Sequence, residues 1–265
     1  MFSSVCVLFG AYYLQPIQSS AAIFWAAVSA FLIAAAGYVI NDFFDIEIDI
    51  INRPQRILPQ KKISPQVAYL FAVLLFLAGL FAAVLTREKY CIIIAFANTL
   101  LLFYYAKYFK RMLLLGNLVV AYLAGSTFIF GAMAGKNLAW GLIPAAFAAL
   151  YTLIRELVKD AEDLEGDKIL GAKTVPSLWG RKAALYAAVV PFASMIWLAN
   201  YFNLHWPERF PFHVLLGLTL LVHIPLLIFL IILRLHPQKK NFSRVSKFIK
   251  LDMLILLLVL LLAIF

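Results

Sequence analysis

The sequence predicts an all-α fold, a polytopic membrane protein built as a bundle of about nine transmembrane helices. Hydrophobic residues make up 65% of the 265-residue chain, and its mean hydropathy of +0.93 is too high for a water-soluble domain. Apolar stretches of helical length recur along the whole chain, and no alternating strand pattern suggests a barrel. We therefore expect a single transmembrane domain that covers residues 1–265.

The predicted spans follow one another from the N-terminus to the C-terminus. A helix needs about 20 mostly apolar residues to cross a bilayer, and internal Gly, Pro and Ser are tolerated in membrane bundles. The first stretch has only about 13 apolar residues, so either a truncated start or a short, tilted helix fits it. The predicted spans are residues 1–15, 21–41, 65–86, 90–107, 112–134, 138–160, 183–203, 211–235 and 248–265.

One acidic pattern, D-x-x-D-x-x-x-D, occurs twice with an offset of 118 residues at every position. Glu47 and Glu165 keep the same offset, so eight of the 13 acidic residues occupy matched positions. Carboxylates are costly near a bilayer unless they have partners or a function, so this pseudo-repeat indicates a site. The aspartates are Asp42, Asp45 and Asp49 in the first acidic motif (residues 42–49) and Asp160, Asp163 and Asp167 in the second acidic motif (residues 160–167).

The distribution of basic residues predicts the orientation in the membrane. Of the 23 Lys and Arg residues, 19 lie in or beside the loops that follow the second, fourth, sixth and eighth spans. This asymmetry is typical of cytoplasmic loops, so the N-terminus and both acidic motifs are predicted to be cytoplasmic in an integral protein of the cell membrane. Topology and anionic lipid explain the net charge of +10, and no nucleic acid is expected as a partner.

Helical spacing puts the three aspartates of each acidic motif on one face, while Glu47 and Glu165 point away. Stacked carboxylates repel and recruit cations, and oxygen ligands without His or Cys favour Mg²⁺ or Mn²⁺. Because Mg²⁺ is usually held by one or two carboxylates with waters and phosphate oxygens, two such faces suit a diphosphate. The basic residues predicted to bind the remaining phosphate charge are Arg53, Lys107, Lys110 and Lys159.

Other interpretations explain less of this pattern. A solvated helix end whose acids pair with Lys and Arg accounts for one motif, but salt bridges do not require one spacing twice. An ion or small-molecule transporter would also use acids near the membrane, yet both motifs lie at span ends rather than mid-span. A purely structural membrane protein leaves the repeated motifs without a purpose.

Three stretches around these residues resemble the UbiA family of intramembrane prenyltransferases. They are NDFFDIEIDIINRPQRILP after the second span, YYAKYFKRMLLLGN between the fourth and fifth spans, and RELVKDAEDLEGDKILGAKTVP after the sixth span. The resemblance covers nearly the whole chain. It implies a helix bundle around a central cavity open sideways to lipid, with a cytoplasmic cap over the polar site. It also implies transfer of an isoprenoid chain from its diphosphate to an acceptor.

The resemblance assigns expected roles to individual residues around two Mg²⁺ ions, with Mn²⁺ as the alternative. Asp42 and Asp160 lie deeper toward the membrane and are expected to support catalysis together with Lys159, as partners of metal ligands or as acids facing the acceptor. Asn98 and Tyr105 are expected to line the substrate pocket, with hydrogen-bonded packing as the alternative. The implied metal ligands are Asn41, Asp45, Asp49, Asp163 and Asp167.

Two stretches that overlap these suggest the acceptor. NRPQRILP and GNLVVAYLAGSTFIFGAM resemble the branch that alkylates geranylgeranylglyceryl phosphate in ether-lipid synthesis. Prenylation of an aromatic quinone precursor such as 4-hydroxybenzoate is the alternative. The expected partners are therefore a prenyl diphosphate donor, best matched by geranylgeranyl diphosphate, a hydrophobic or amphiphilic acceptor, and membrane lipid.

Overall fold

The computed structural model describes residues 2–14, 20–169 and 171–264, and these residues contain no β-strand. Three short helical segments of other types occur at Phe109–Arg111, Thr219–His223 and Leu262–Ile264. The α-helices are α1 (Phe2–Tyr12), α2 (Ser20–Phe44), α3 (Ile46–Asn52), α4 (Pro65–Leu85), α5 (Lys89–Lys107), α6 (Leu115–Ala134), α7 (Leu138–Ile169), α8 (Val175–Trp179), α9 (Arg181–His205), α10 (Phe212–Leu218), α11 (Ile224–Leu235) and α12 (Lys239–Leu261).

Within the described residues, seven helices are long and apolar enough to cross a membrane. The predicted all-α membrane class is confirmed, and the predicted count of nine spans is approximate. The first predicted span corresponds to α1, which has only 11 residues, and the ends of the first and last predicted spans lie partly outside the described residues. The last predicted span is the C-terminal part of α12, which begins at Lys239 rather than at residue 248.

The chain divides into two compact units, and each acidic motif belongs to a different unit. The first unit comprises Met1–Lys110 and Ser126–Leu142, and it contains the first acidic motif. The second unit comprises Arg111–Gly125 and Ile143–Phe265, and it contains the second acidic motif. A single domain with an internal pseudo-repeat stays a prediction.

In the first unit, α1 is held by direct backbone contact with α6. A Cβ atom at Gly131 would lie 1.8 Å from the carbonyl oxygen of Val7, so only glycine permits this approach. Asn137 then closes the end of α1, because its Nδ2 donates to the carbonyl oxygens of Gly10 at 3.3 Å and Tyr13 at 2.8 Å. These bonds satisfy carbonyl groups that a helix end leaves without partners. A very short helix thereby acquires a fixed position.

In the second unit, a buried polar pair joins α7 to α12. The hydroxyl of Tyr151 donates a hydrogen bond to the carboxylate of Asp252, and both side chains are buried. One turn earlier on α7, Phe147 stacks on Phe210 with the ring centroids 6.4 Å apart. Buried polar groups need hydrogen-bond partners and buried rings need close packing, so both contacts resist rotation of α7. This helix carries the second acidic motif.

Candidate active site

The first acidic motif spans a junction between two helices. Asp45 lies between the end of α2 and the start of α3, with φ −97° and ψ 4°. Helical hydrogen bonding nevertheless continues. The amide of Asp45 donates to the carbonyl oxygen of Asn41 at 3.0 Å, and the amide of Asp49 donates to the carbonyl oxygen of Asp45 at 2.8 Å. The one-face spacing predicted for the aspartates therefore survives the break. Glu47, predicted to point away from them, is exposed.

Arg56 bridges two aspartates of the first acidic motif. Its Nη1 lies 2.8 Å from Oδ1 of Asp42 and 2.7 Å from Oδ2 of Asp49. The Asp49 side chain is buried, whereas that of Asp42 is half exposed. Partial burial works to lower the pKa of Arg56, but the hydrogen bond to Asp49 and the charges of both aspartates outweigh it and raise that pKa. The guanidinium is therefore a permanent cation beside the motif.

Asp45 has two partners of its own. The Lys110 ammonium forms a close ion pair with Oδ1, and Nδ2 of Asn41 donates to Oδ2 at 2.8 Å. All three residues carry predicted roles, Asn41 and Asp45 as metal ligands and Lys110 as a diphosphate-binding residue. The structure thus brings together one predicted cation and two predicted ligands in the first unit.

The second acidic motif lies entirely within α7, and no Gly or Pro interrupts this helix between Pro144 and Gly166. The Nδ2 of Asn117 donates to Oδ2 of Asp160 at 2.7 Å. The hydroxyl of Thr174 donates to Oδ2 of Asp167 at 3.0 Å. Two of the three aspartates are thus oriented by neutral donors from neighbouring segments.

Other charged residues lie in or beside the second acidic motif. Asp163 is exposed, and Lys159 is partly exposed next to Asp160 in the chain. Glu165 points outward and forms an exposed ion pair with Arg181, as expected for a residue off the aspartate face. The division into an aspartate face and an outward glutamate therefore holds in this motif too.

Four further residues, Arg53, Lys107, Asn98 and Tyr105, carry predicted roles in binding substrate. Arg53 is exposed, and the ammonium of Lys107 lies 4.9 Å from the ring centroid of Tyr108. The amide nitrogen of Asn98 donates to the hydroxyl of Ser126 at 3.0 Å, which is the kind of hydrogen bond expected of a packing residue. The Oδ1 atom of Asn98 is buried without a hydrogen-bond partner, and Tyr105 is partly buried. Their roles in binding substrate stay predictions.

Three residues that hold aspartates of the acidic motifs were not among the predicted site residues. They are Arg56, Asn117 and Thr174. Each belongs to one of the three sequence stretches that carry the family resemblance. The spacing of the aspartates alone does not reveal a partner from another segment. The signal that could have identified these residues is their position as polar residues within such a stretch.

The ligand chemistry of the motifs fits Mg²⁺. Among the described residues, no three His, Cys, Asp or Glu side chains are arranged to hold an ion together. The carboxylates instead contact cationic, amide and hydroxyl donors of the chain. Mg²⁺ takes one or two protein carboxylates and completes its shell with waters and phosphate oxygens, so each oxygen-only motif provides a suitable ligand set.

These features define a class, a polytopic α-helical membrane protein with two oxygen-rich acidic motifs at helix ends. Comparison with protein families then gives a more specific assignment. The profile of the UbiA prenyltransferase family matches residues 3–263, nearly the entire chain. The chain belongs to the UbiA prenyltransferase family, and the resemblance seen in the three sequence stretches is confirmed.

Several similar proteins are named digeranylgeranylglyceryl phosphate synthase. That of Methanothrix thermoacetophila is 40% identical over 184 residues, which cover 69% of this chain and 67% of the relative. That of Methanocaldococcus jannaschii is 36% identical over 237 residues, 86% of this chain and 79% of the relative. That of Methanoculleus marisnigri is 48% identical over 164 residues, 61% of this chain and 58% of the relative. The matched region thus spans less than two thirds of some of these relatives.

Solved structures share the fold. A structure described as digeranylgeranylglyceryl phosphate synthase in membranes has a TM-score of 0.83 and 34% identity, with 99% of this chain and 93% of that chain covered. A UbiA homologue from Archaeoglobus fulgidus, bound to DMAPP and Mg²⁺, has a TM-score of 0.73 and 17% identity, covering 99% and 94% of the two chains. The second likeness supports the fold alone.

Proposed function

We propose that the chain catalyses Mg²⁺-dependent transfer of a geranylgeranyl group from its diphosphate to geranylgeranylglyceryl phosphate, a step of ether-lipid synthesis. The observation that carries the proposal is the pair of oxygen-only acidic motifs in a chain that matches the prenyltransferase family over nearly its whole length. The choice of acceptor rests on the relatives named digeranylgeranylglyceryl phosphate synthase. The proposed orientation places the N-terminus and both motifs on the cytoplasmic side, following the excess of basic residues there.

The proposed metal ligands are the carboxylate and amide oxygens of both motifs. When bound, two Mg²⁺ ions would supply positive charge to the diphosphate as it leaves, with Mn²⁺ as a substitute. The ion pair of Lys110 with Asp45 supports the proposal that the Lys110 ammonium binds a phosphate oxygen beside a metal ligand. Arg53, Lys107 and Lys159 are proposed to bind the remaining phosphate charge. The proposed ligands are Asn41, Asp45, Asp49, Asp163 and Asp167.

Asp160 is the proposed acceptor-facing acid of the second motif. The new ether bond forms between the hydroxyl oxygen of the acceptor and the allylic carbon, while the bond from that carbon to diphosphate breaks. The hydroxyl proton must then be removed. Asn117 donates to Oδ2 of Asp160, so Oδ1 is the atom that we assign to accept the proton. Asp42 has the corresponding place in the first motif, where Arg56 fixes its carboxylate.

The test uses purified full-length chain, Mg²⁺, labelled geranylgeranyl diphosphate and two acceptors, geranylgeranylglyceryl phosphate and 4-hydroxybenzoate. The expected product is the prenylated glyceryl phosphate. Exclusive prenylation of 4-hydroxybenzoate would overturn the proposed acceptor but would still support prenyl transfer as the reaction. Uptake of substrate into sealed vesicles without chemical conversion would favour a transporter and overturn the proposal that the protein is an enzyme.

Matched substitutions test the metal ligands in the same assay. Asp45→Ala or Asp163→Ala is expected to reduce diphosphate consumption at least about 100-fold, because each removes a proposed Mg²⁺ ligand. Glu47→Gln and Glu165→Gln are the controls, since both side chains are exposed and off the aspartate face. Equal losses in the aspartate and glutamate variants would contradict the assignment of the aspartate faces.

A further inference from the structure

Five basic residues lie on one face of the first three turns of α12. At 100° per residue, their positions fall within an arc of about 140°. All five side chains are exposed. The residues are Lys239, Lys240, Arg244, Lys247 and Lys250, and together they are called the α12 basic face.

The opposite face of the same turns is packed into the second unit. Phe242, Val245 and Ile249 are buried, with exposed fractions of 0%, 4% and 0%. These contacts fix the rotation of the helix, so the α12 basic face must point outward. A freely rotating polar segment would not keep five charges on one side.

Few protein carboxylates are available to neutralise these charges. No acidic residue occurs between residues 239 and 251, and Asp252 is buried against Tyr151. None of the ion pairs found among the described residues includes a member of the α12 basic face. Lys239 alone is near enough to Glu165 for the two charges to interact. The face therefore retains a concentrated positive charge.

The α12 basic face ends where the helix becomes apolar. Leu251 is exposed, and the residues from Met253 onward are all hydrophobic. Phe248 is also exposed beside the basic face. Long cationic side chains in the first turns of α12 are thus followed by apolar side chains. This order matches the boundary between headgroups and acyl chains, where Lys and Arg extend toward phosphate.

Membrane topology alone does not explain this arrangement. The positive-inside rule requires basic residues in a loop, but it places no demand on the helix face that they occupy. Five charges on one rotationally fixed face instead form a continuous surface. Such a surface is complementary to a layer of anionic headgroups.

We propose that the α12 basic face binds the phosphate headgroups of anionic membrane lipids. The partner is the lipid surface itself, and the contacts are charge-assisted hydrogen bonds from Lys and Arg to phosphate oxygens. The proposal does not depend on the prenyl-transfer activity. Each charge near an anionic surface strengthens binding about fivefold, so a preference for anionic over zwitterionic lipid of well over tenfold is expected.

Native mass spectrometry of the full-length chain in detergent tests this binding by titration with phosphatidylglycerol and phosphatidylcholine. The wild-type chain is expected to retain phosphatidylglycerol preferentially. Arg244→Gln/Lys247→Gln is expected to lower that preference at least about tenfold. The matched control is Lys61→Gln/Lys62→Gln, which removes two exposed charges from a different loop and is expected to leave the preference intact. The charge-retaining variant Arg244→Lys/Lys247→Arg is also expected to keep it.

Two outcomes would overturn the proposal. One is an equal phosphatidylglycerol preference in Arg244→Gln/Lys247→Gln and the wild-type chain. The other is release of phosphatidylglycerol by micromolar inorganic diphosphate, which would make the face a site for soluble phosphate rather than for lipid. Raising the salt to about 0.5 M is expected to weaken the preference, because screening suppresses contacts between exposed charges. Circular dichroism checks that each variant keeps the helical content of the wild type.

Discussion

Replacing Arg56 by glutamine is expected to destabilise the protein when Mg²⁺ is withheld. Arg56 contacts two carboxylates, and the Asp49 side chain is only 8% exposed. Loss of the cation leaves this buried carboxylate without its charged partner. Breaking a fully buried ion pair costs about 3–5 kcal/mol, whereas an exposed pair contributes about 0–1 kcal/mol.

The expected magnitude lies between these limits. Arg56 is 33% exposed and Asp42 is 47% exposed, so water screens both interactions and the contact with Asp42 adds little. We expect a loss of about 2 kcal/mol, which for a chain of this size corresponds to a fall in Tm of about 4–8 °C. The assay is thermal unfolding of the purified chain in detergent, followed by tryptophan fluorescence in the presence of EDTA.

Mg²⁺ provides the second part of this test. A bound cation near Asp49 would compensate for the missing guanidinium, so saturating Mg²⁺ is expected to reduce the Tm difference by at least about half. Arg53→Gln is the matched control, because Arg53 is exposed in the same sequence stretch and its loss is expected to change Tm by less than about 2 °C. An equal fall in Tm for Arg56→Gln and Arg53→Gln would refute the reasoning.

Two further substitutions test the packing of α1 and of α7, and Gly166→Ala is the control for the first. Gly131→Ala places a Cβ atom 1.8 Å from a backbone oxygen and is expected to cost about 3 kcal/mol or more, while Gly166→Ala, with nothing within 4 Å, is expected to leave Tm unchanged or raise it. If Gly131→Ala left Tm unchanged, α1 would not contact α6 in this way. Tyr151→Phe removes the donor to buried Asp252 and is expected to cost about 1–3 kcal/mol in the same unfolding assay, whereas a Tm equal to that of the wild type would contradict the buried pair.

The membrane class and the motif phasing follow directly from the sequence. Hydropathy identifies membrane helices because a bilayer imposes one length and one polarity on each span. The outward direction of Glu47 and Glu165 follows from helical geometry, which is local. These features need no knowledge of which segments meet in space.

The partners of the aspartates depend on contacts that periodicity does not encode. Asn117 reaches Asp160 from a helix 43 residues earlier in the chain, and Arg56 returns to Asp42 through a turn. Hydropathy also did not predict the start of α12, because the charged residues of its first turns lower the mean hydropathy. These turns are amphipathic, and the 3.6-residue period of their apolar residues indicates a helix. Lys107 is the last residue of α5 and its ammonium lies 4.9 Å from the ring centroid of Tyr108, while its role in binding diphosphate stays a prediction.

The backbone contact of α1 also constrains how the protein can be assembled during translation. Asn137, which caps this helix, is synthesised 127 residues after Gly10. At ribosomal rates of about 5–20 residues per second, α1 waits about 6–25 s for its final partner. The hydroxyl of Ser4 donates to the carbonyl of Ala27 at 3.0 Å, a contact with α2 that can form early. We therefore expect α1 to pack against α2 until α6 and Asn137 have been synthesised.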